Sequence, residues 1–473
     1  MGTVPIEAVR MQIITLIPVY MNVFMMGCAD GWLPNAMYFF PTSADNAHET
    51  SSSSSSALIP VFSDLGKIVF AIPAGILVDK YGRKKITLCV TFSTFFTWLG
   101  LSLNTSLIAI YIGRFILGLA ETMTSATSLI WIGEVASPEV RGTLTSLGLI
   151  FINTGLILPS IMSVIFGSYK SLTWSITFFS FMSLASIIWL VETPNYLVSV
   201  SKLKQAIAIL QQIRKGHKEN EITEEFEKLK RYIEDEKNRR NQLTWLKFLK
   251  SKAIMKPLLT GILLNVFTVL TGSVLIRVYI TAILPSNELV SKKYYPLIIQ
   301  ICLLFIAFNT TFYIDKFPRR TIFLYGAAAM SIINTICALA SYIVAGHQNN
   351  SNVFKWIFIF GNMASVLCYA AVIQPINSAL KAELYPQAMK GFCGSLAIIS
   401  QALSFIMAFQ LYNFVKDFFQ LSVMYVIFSL NSLVLYAIVY FLSPEGRGTS
   451  LADLQMKFKE EDAPCDGISV ERK

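Results

Sequence analysis

Apolar stretches about twenty residues long recur down almost the whole of this 473-residue chain, and that repetition admits few folds. Crossing ~30 Å of hydrocarbon takes about 20 helical residues. Twelve spans of that kind are expected, at 11–31, 57–78, 86–103, 107–133, 143–167, 173–191, 257–284, 294–314, 321–345, 354–379, 391–415 and 421–443. Spans 3 and 6 are short. The runs are apolar throughout, without the alternation of a membrane barrel, so strands are excluded. The chain is 54% hydrophobic and 14% charged, against ~45–50% and ~25% for a soluble domain.

The net charge of +10 invites a nucleic-acid partner until its distribution is drawn. With the amino terminus inside, Lys170, Lys292, Lys293, Lys355 and Lys416 fall outside, and Lys67, Arg114 and Arg277 fall within spans. The rest of the 39 Lys and Arg lie on the cytosolic side. This is the positive-inside bias, and it places both termini in the cytosol. The basic balance therefore reports topology and anionic lipid, with no nucleic acid implied.

Six of the seven cysteines sit inside spans and no CxxC occurs, so neither a disulfide framework nor a zinc site is indicated. The first span lacks a small-residue cleavage site and reads as retained. Residues 41–57, with six consecutive serines, read as an extracellular disordered loop. Asn349-Asn350-Ser351 is a glycosylation sequon in an outside loop, with Asn349 as acceptor. The polar insertion 192–256 carries Leu203, Ala206, Ile207, Leu210 and Ile213, then Ile222, Phe226, Leu229 and Ile233, at near-helical spacing. Two or three cytosolic helices are expected there. The domains are then 1–191, 192–256, 257–443 and the cytosolic tail 444–473.

An internal repeat organises the rest. Asp79-Lys80-Tyr81-Gly82-Arg83-Lys84 follows span 2, and Asp315-Lys316-Phe317-Pro318-Arg319-Arg320 follows span 8. Glu134 precedes Arg141-Gly142 as Glu383 precedes Lys390-Gly391, and Glu192-Thr193-Pro194 after span 6 answers Pro444-Glu445 after span 12. The offsets are 236, 249 and 253 residues, in one order. Six spans have been duplicated, and all six motifs fall on the cytosolic side. Carboxylates and guanidinium groups at those ends form a network that latches and releases the two halves.

These motifs, with Gly113-Arg114 opening span 4, Glu192-Thr193-Pro194-Asn195-Tyr196-Leu197, Glu383-Leu384-Tyr385-Pro386 and the tail to Ser450-Leu451, carry a resemblance. Over about residues 12–455 the chain resembles the sugar porters of the major facilitator superfamily. Within them it is most similar to the insect facilitated trehalose transporters, in span 1 from Gly27 to Pro34 and in the tail. The resemblance implies an all-α membrane fold of two six-helix bundles with a cytosolic helical insertion, working by alternating access. It also implies a cytoplasmic gate network of Asp79, Arg83, Arg114, Glu134, Arg141, Glu192, Asp315, Arg319, Glu383, Lys390 and Glu445.

Carried residue by residue, the family's sugar ligands are largely replaced. The span 5 glutamine is Leu149, the span 7 glutamine pair is Thr268 and Val269, and the following asparagine is Val274. The span 10 tryptophan is Ser378, and the span 11 pair is Gln401 and Ala402. Tyr279, Gln374, Asn377, Gln401 and Thr268 remain as polar candidates. At about 0.5–1.5 kcal/mol per hydrogen bond, four losses weaken the family-type sugar pose by roughly 30-fold to above 10⁴-fold.

Asp30 on span 1 and Arg277 on span 7 are ionisable groups inside spans, functional by default. Spans 1 and 7 are equivalent in the two halves, so a pairing of Asp30 with Arg277 at an outer gate is expected. No enzyme site is seen: the three histidines fall in loops and no phosphate loop exists. The expectation is an integral plasma-membrane carrier of a sugar, trehalose or hexose-like, facilitative or weakly proton-linked, without cofactor. Its partners are the solute, membrane lipid and, if linked, protons. The alternatives are a carrier of a less polar or anionic solute, and a non-transporting sensor with the same fold.

Overall fold

A computed structural model describes residues 5–39, 58–137, 139–242, 252–284, 291–313, 318–346, 352–385 and 390–442. Spans 1 to 6 are α1 (Ile6–Phe39), α2 (Ile59–Tyr81), α3 (Arg83–Leu103), α4 (Leu107–Val135), α5 (Arg141–Phe166) and α6 (Tyr169–Ala185), the last running on as a tighter turn to Trp189. The insertion forms α7 (Pro194–Ser199), α8 (Leu203–Ile213) and α9 (Glu219–Gln242). Span 7 is α10 (Lys252–Leu270), α11 (Ser273–Val278) and α12 (Ile280–Ile283); span 8 is α13 (Tyr295–Tyr313) and span 9 is α14 (Arg319–Gly346). Span 10 joins α15 (Asn352–Cys368) to α16 (Gln374–Leu384), and spans 11 and 12 are α17 (Lys390–Phe418) and α18 (Leu421–Leu442). Among the described residues, ten of the spans are long and apolar enough to cross a membrane as continuous helices. The exposed Phe96, Ile108, Phe305, Phe360 and Phe441 present a hydrocarbon-compatible outer surface.

The breaks in regular helix have local causes. Gly272 has φ 87°, a left-handed conformation that ends α10. A Cβ there would run into the Phe428 ring. The carbonyl of Thr271 accepts from Asn334 Nδ2 at 3.2 Å, so the interrupted backbone stays satisfied. In span 10, Tyr369–Ile373 form a wide π turn just ahead of Pro375, whose ring nitrogen has no hydrogen to donate.

Small residues set the tightest helix contacts, as membrane interiors favour. A Cβ at Gly27, Gly31 or Gly155 would overlap backbone of the facing helix, which locks span 1 to span 5. Gly66 and Gly118 do the same between spans 2 and 4.

The two ends of the bundle are packed differently. Gly82, Glu134 and Glu192 mark what is termed here the motif end. At the opposite, far end, one continuous core draws residues from both halves, among them Trp32, Ile59, Trp98, Tyr279, Ile283, Ile299, Phe409 and Tyr425. Toward the motif end the cores separate. One in the second half includes Phe323, Tyr385 and Leu435, and two in the first half include Trp131 and Val78 respectively. Span 2 packs on span 11 and span 5 on span 8 across the divide. A buried chain, Asn35 Nδ2 to Ser160 Oγ at 2.8 Å and Ser160 Oγ to Gln300 Oε1 at 2.6 Å, bridges spans 1, 5 and 8.

The insertion has its own core of Leu197, Val198, Ala206, Leu210, Ile222 and Phe226. It is anchored to the first half by buried Arg214, which donates to Val135 O at the end of α4 (2.8 Å) and forks onto Glu225. Two stability outcomes are expected. Gly118→Ala should lower the thermal unfolding midpoint of detergent-purified protein by about 1–3 kcal/mol of overpacking. Gly100→Ala, facing open space, should not lower it. Arg214→Ala should cost about 1–3 kcal/mol of charged hydrogen bonding and speed limited proteolysis within α8 and α9; unchanged cleavage would mean that the insertion is held elsewhere.

Candidate functional site

At the motif end the sequence Asp79-Lys80-Tyr81-Gly82-Arg83 ends one helix and starts the next. Gly82 makes the corner at φ 89°, in a space where a Cβ would meet the Glu192 carboxylate and Tyr196 ring at 2.6 Å. Glu192 then caps α3, its Oε1 accepting the backbone N–H of Arg83 and Lys84, each at 3.1 Å. A carboxylate here satisfies open amides and the positive helix end together. Arg83 turns back between helices: its Nη2 lies 2.9 Å from Glu134 Oε1 and 3.7 Å from Asp79 Oδ1, and its guanidinium stacks over Tyr196 at 5.6 Å. The ends of spans 2, 3, 4 and 6 are thereby held as one body.

Arg141 stands exposed at the start of α5, outside this clasp. In the second half Arg319 opens α14, and Glu383 and Lys390 lie at the facing ends of α16 and α17. Asp315, Glu445 and Asn349 lie outside the described residues. Pro318 stands where the first half has Gly82, and a proline cannot adopt that glycine's φ, so the two corners cannot be identical.

Arg114 does not belong to the motif-end network. It lies twenty residues before Glu134 on the same helix, about 30 Å along the axis. There it is buried, donates to Ala29 O at 2.8 Å and sits over the Trp32 ring. Its neighbours form a buried charge group that sequence reading missed. Lys67 Nζ is 2.9 Å from Glu121 Oε2 and 3.5 Å from Asp64 Oδ1, tying spans 2 and 4. Asp30 acts electrostatically on Lys67, Glu121 and Asp64. The expected Asp30–Arg277 pair is absent among the described residues, because Asp30 faces this first-half cluster, while Arg277 lies beside Tyr369. The missed signal was plain: Asp64 and Glu121 are acids inside apolar runs, the same criterion that singled out Asp30.

The positions carried over from sugar ligands divide by accessibility. Leu149 on span 5 is exposed, with Asn153 one turn on. Gln374 and Ser378 are exposed one turn apart on α16. Val274 and Gln401 are half-buried. Thr268, Val269, Tyr279 and Asn377 are buried, with Val269 and Tyr279 inside the shared far-end core and Tyr279 stacked on Tyr412 at 4.5 Å. Polar side chains inside a membrane bundle face its interior or a water-filled cavity. Gln374 and Ser378 are thus exposed and Asn153 half-buried, while the positions toward the far end are closed within its core.

A second cluster was also missed. Buried Asn265 on α10 donates to Ala397 O (3.0 Å) and Ser400 Oγ (3.2 Å). Its Oδ1 accepts from Lys381 Nζ (2.6 Å) and Asn377 Nδ2 (3.3 Å). Lys381 had been counted as one more cytosolic cation; its place three residues after Ser378, on the same helix face, was the available signal.

Comparisons with known proteins bear on the family and the fold. The family described as "Sugar (and other) transporter" matches residues 12–458. A facilitated trehalose transporter, Tret1, from Bombyx mori is 27% identical over 83% of this chain and 77% of its own length. The glucose transporter GlcP of Staphylococcus epidermidis is 22% identical, covering 84% of this chain and 87% of itself. Among solved structures, the inward open xylose transporter XylE from E. coli superposes with a TM-score of 0.75 at 16% identity, over 95% of this chain and 99% of that one. With its repeated spans and the corner-and-clasp motif at one end, the chain belongs to the sugar (and other) transporter family and has the major facilitator fold.

Proposed function

We propose that this protein carries a sugar-sized, hydroxyl-rich solute across the plasma membrane by alternating access, with the motif end and both termini in the cytosol. One observation carries the reading: the halves share a single core at the far end and hold separate cores at the motif end. That is the packing of a carrier closed outside and open inside. Rocking the halves would open the far-end core and bring the motif ends together.

The trehalose, glucose and proton myo-inositol transporters among its relatives support a sugar or polyol as cargo. Leu149, Val269 and Val274 at the ligand positions support a pose of its own. The Arg83 clasp supports a cytosolic gate in which the first half moves as one body. The buried acids Asp64 and Glu121 and the half-buried Asp30, gathered around Lys67 and Arg114, make protons the coupling ion to test.

Full-length protein in liposomes should take up labelled trehalose, glucose or myo-inositol, and a pH gradient should change the rate if the first-half acids couple to it. Flux of none of them, with or without the gradient, would remove the sugar-carrier reading. Arg83→Ala should slow uptake about tenfold, the low end for one charged hydrogen bond. Arg83→Lys should recover part of the loss, and equal rates in all three proteins would exclude the clasp as a gate. Ser378→Cys should react with an impermeant thiol reagent added from the motif end and be protected by cargo, whereas modification only from the far end would invert the orientation.

A further inference from the structure

We propose that Lys381, with Asn377 beside it, forms an anion-recognition subsite for the cargo, so that this transporter takes hydroxylated carboxylates of sugar size in preference to the neutral sugars. The inference rests on the carrier reading above and deepens it.

The argument starts from hydrogen-bond capacity. Asn265 is saturated: both N–H groups of its amide donate, to Ala397 O and Ser400 Oγ, and its oxygen accepts twice, from Lys381 and Asn377. Lys381 is not. Of its three N–H donors one reaches Asn265, and no carboxylate lies within ion-pair distance among the described residues. Beside it Asn377 Oδ1 is buried and accepts no hydrogen bond, and Thr268 Oγ1, one turn along α10 from Asn265, is likewise buried and unpartnered. The cluster therefore offers a cation with two spare donors, an acceptor for a hydroxyl, and a hydroxyl of its own.

The charge is unmatched among the described side chains of the second half. Its only carboxylate with a described side chain is Asp417, exposed at the far end of α17. The first half, by contrast, sets Asp64 and Glu121 against Lys67. An ammonium taken partly out of water needs a counter-charge, and a neutral amide oxygen supplies only part of one. The position in the last turn of α16 does complement the helix dipole. That accounts for a cation there but not for its direction, since the ammonium turns inward onto Asn265.

Placement connects this cluster to the path. Gln374, Ser378 and Lys381 follow one another at i, i+4 and i+7 along one face of α16. The first two are exposed and Lys381 is half-buried. A solute resting against Gln374 and Ser378 would reach the ammonium with a carboxylate and Asn377 Oδ1 with a hydroxyl, leaving the saturated Asn265 undisturbed as their mount.

The test uses full-length protein in detergent and in liposomes, with D-glucuronate and D-glucose as a charged and a neutral probe of one shape. Glucuronate should raise the thermal midpoint and compete for the transport path at lower concentration than glucose. Lys381→Met should reduce the glucuronate-to-glucose affinity ratio about 10- to 100-fold, the range for one charged hydrogen bond. Lys381→Arg should restore part of it, and Lys381→Gln should behave as Lys381→Met if the first variant is poorly folded. Glucose binding with no preference for glucuronate, or a ratio unmoved in both neutral variants, would overturn the subsite and leave the carrier reading intact. Binding and flux of neither probe would overturn the subsite, and the trehalose and myo-inositol assays would then decide the carrier reading separately.

Discussion

A peptide group without a partner costs several kcal/mol in hydrocarbon, and that penalty governs where this chain can be irregular. Among the described residues, the breaks in spans 7 and 10 are enclosed by protein. The break at Thr271-Gly272 is answered by Asn334 and covered by Phe428. The wide turn at Tyr369–Ile373 lies against spans 8, 9 and 10, with Tyr369 and Ile373 buried. Both irregularities fall in the second half, on spans 7 and 10, and both adjoin positions where the family places its cargo contacts.

The same penalty makes the buried charges informative. Lys67, Asp64 and Glu121 link spans 2 and 4, which glycine contacts at Gly66 and Gly118 already draw together. Close backbone approach leaves little water between those helices, so the charges answer one another. The second half has no such group among its described residues, and its cations Arg277 and Lys381 find only Tyr369 and an amide. A duplicated fold has thus kept its architecture while its halves diverged in charge. That divergence separates a self-contained half from one that has charge left for a solute.

Much of the fold could be read from the chain because membrane constraints are strong and local. Twenty-residue apolar runs located the spans, and Asp79-Gly82-Arg83 with Glu134 and Glu192 pointed to the clasp. The corner at Gly82 and the cap from Glu192 follow directly from the residue types. What was not legible depended on rotation about helix axes. Arg114 was grouped with the motif end because it belongs to a family motif, although its place near the start of span 4 puts it about 30 Å away. Asp30 was paired with Arg277 by symmetry of the halves, but the side chain faces its own bundle. Asn265 and Lys381 were passed over because spacing along a helix does not reveal which neighbour a polar group meets.

Rotation also bears on how a ligand set that has lost its glutamines and tryptophan can still serve a carrier. Replacing them with Leu149, Thr268, Val269, Val274 and Ser378 removes hydrogen bonds at one level of the path, yet the polar residues have not left the bundle. They reappear a turn away: Asn153 after Leu149, Asn265 before Thr268 and Lys381 after Ser378. On spans 7 and 10 the displacement is toward the motif end in both cases, and Lys381 and Asn265 meet at 2.6 Å. A one-turn shift of about 5.4 Å moves the polar level without altering any helix contact. The two helices thus bring their polar groups together at one level of the bundle.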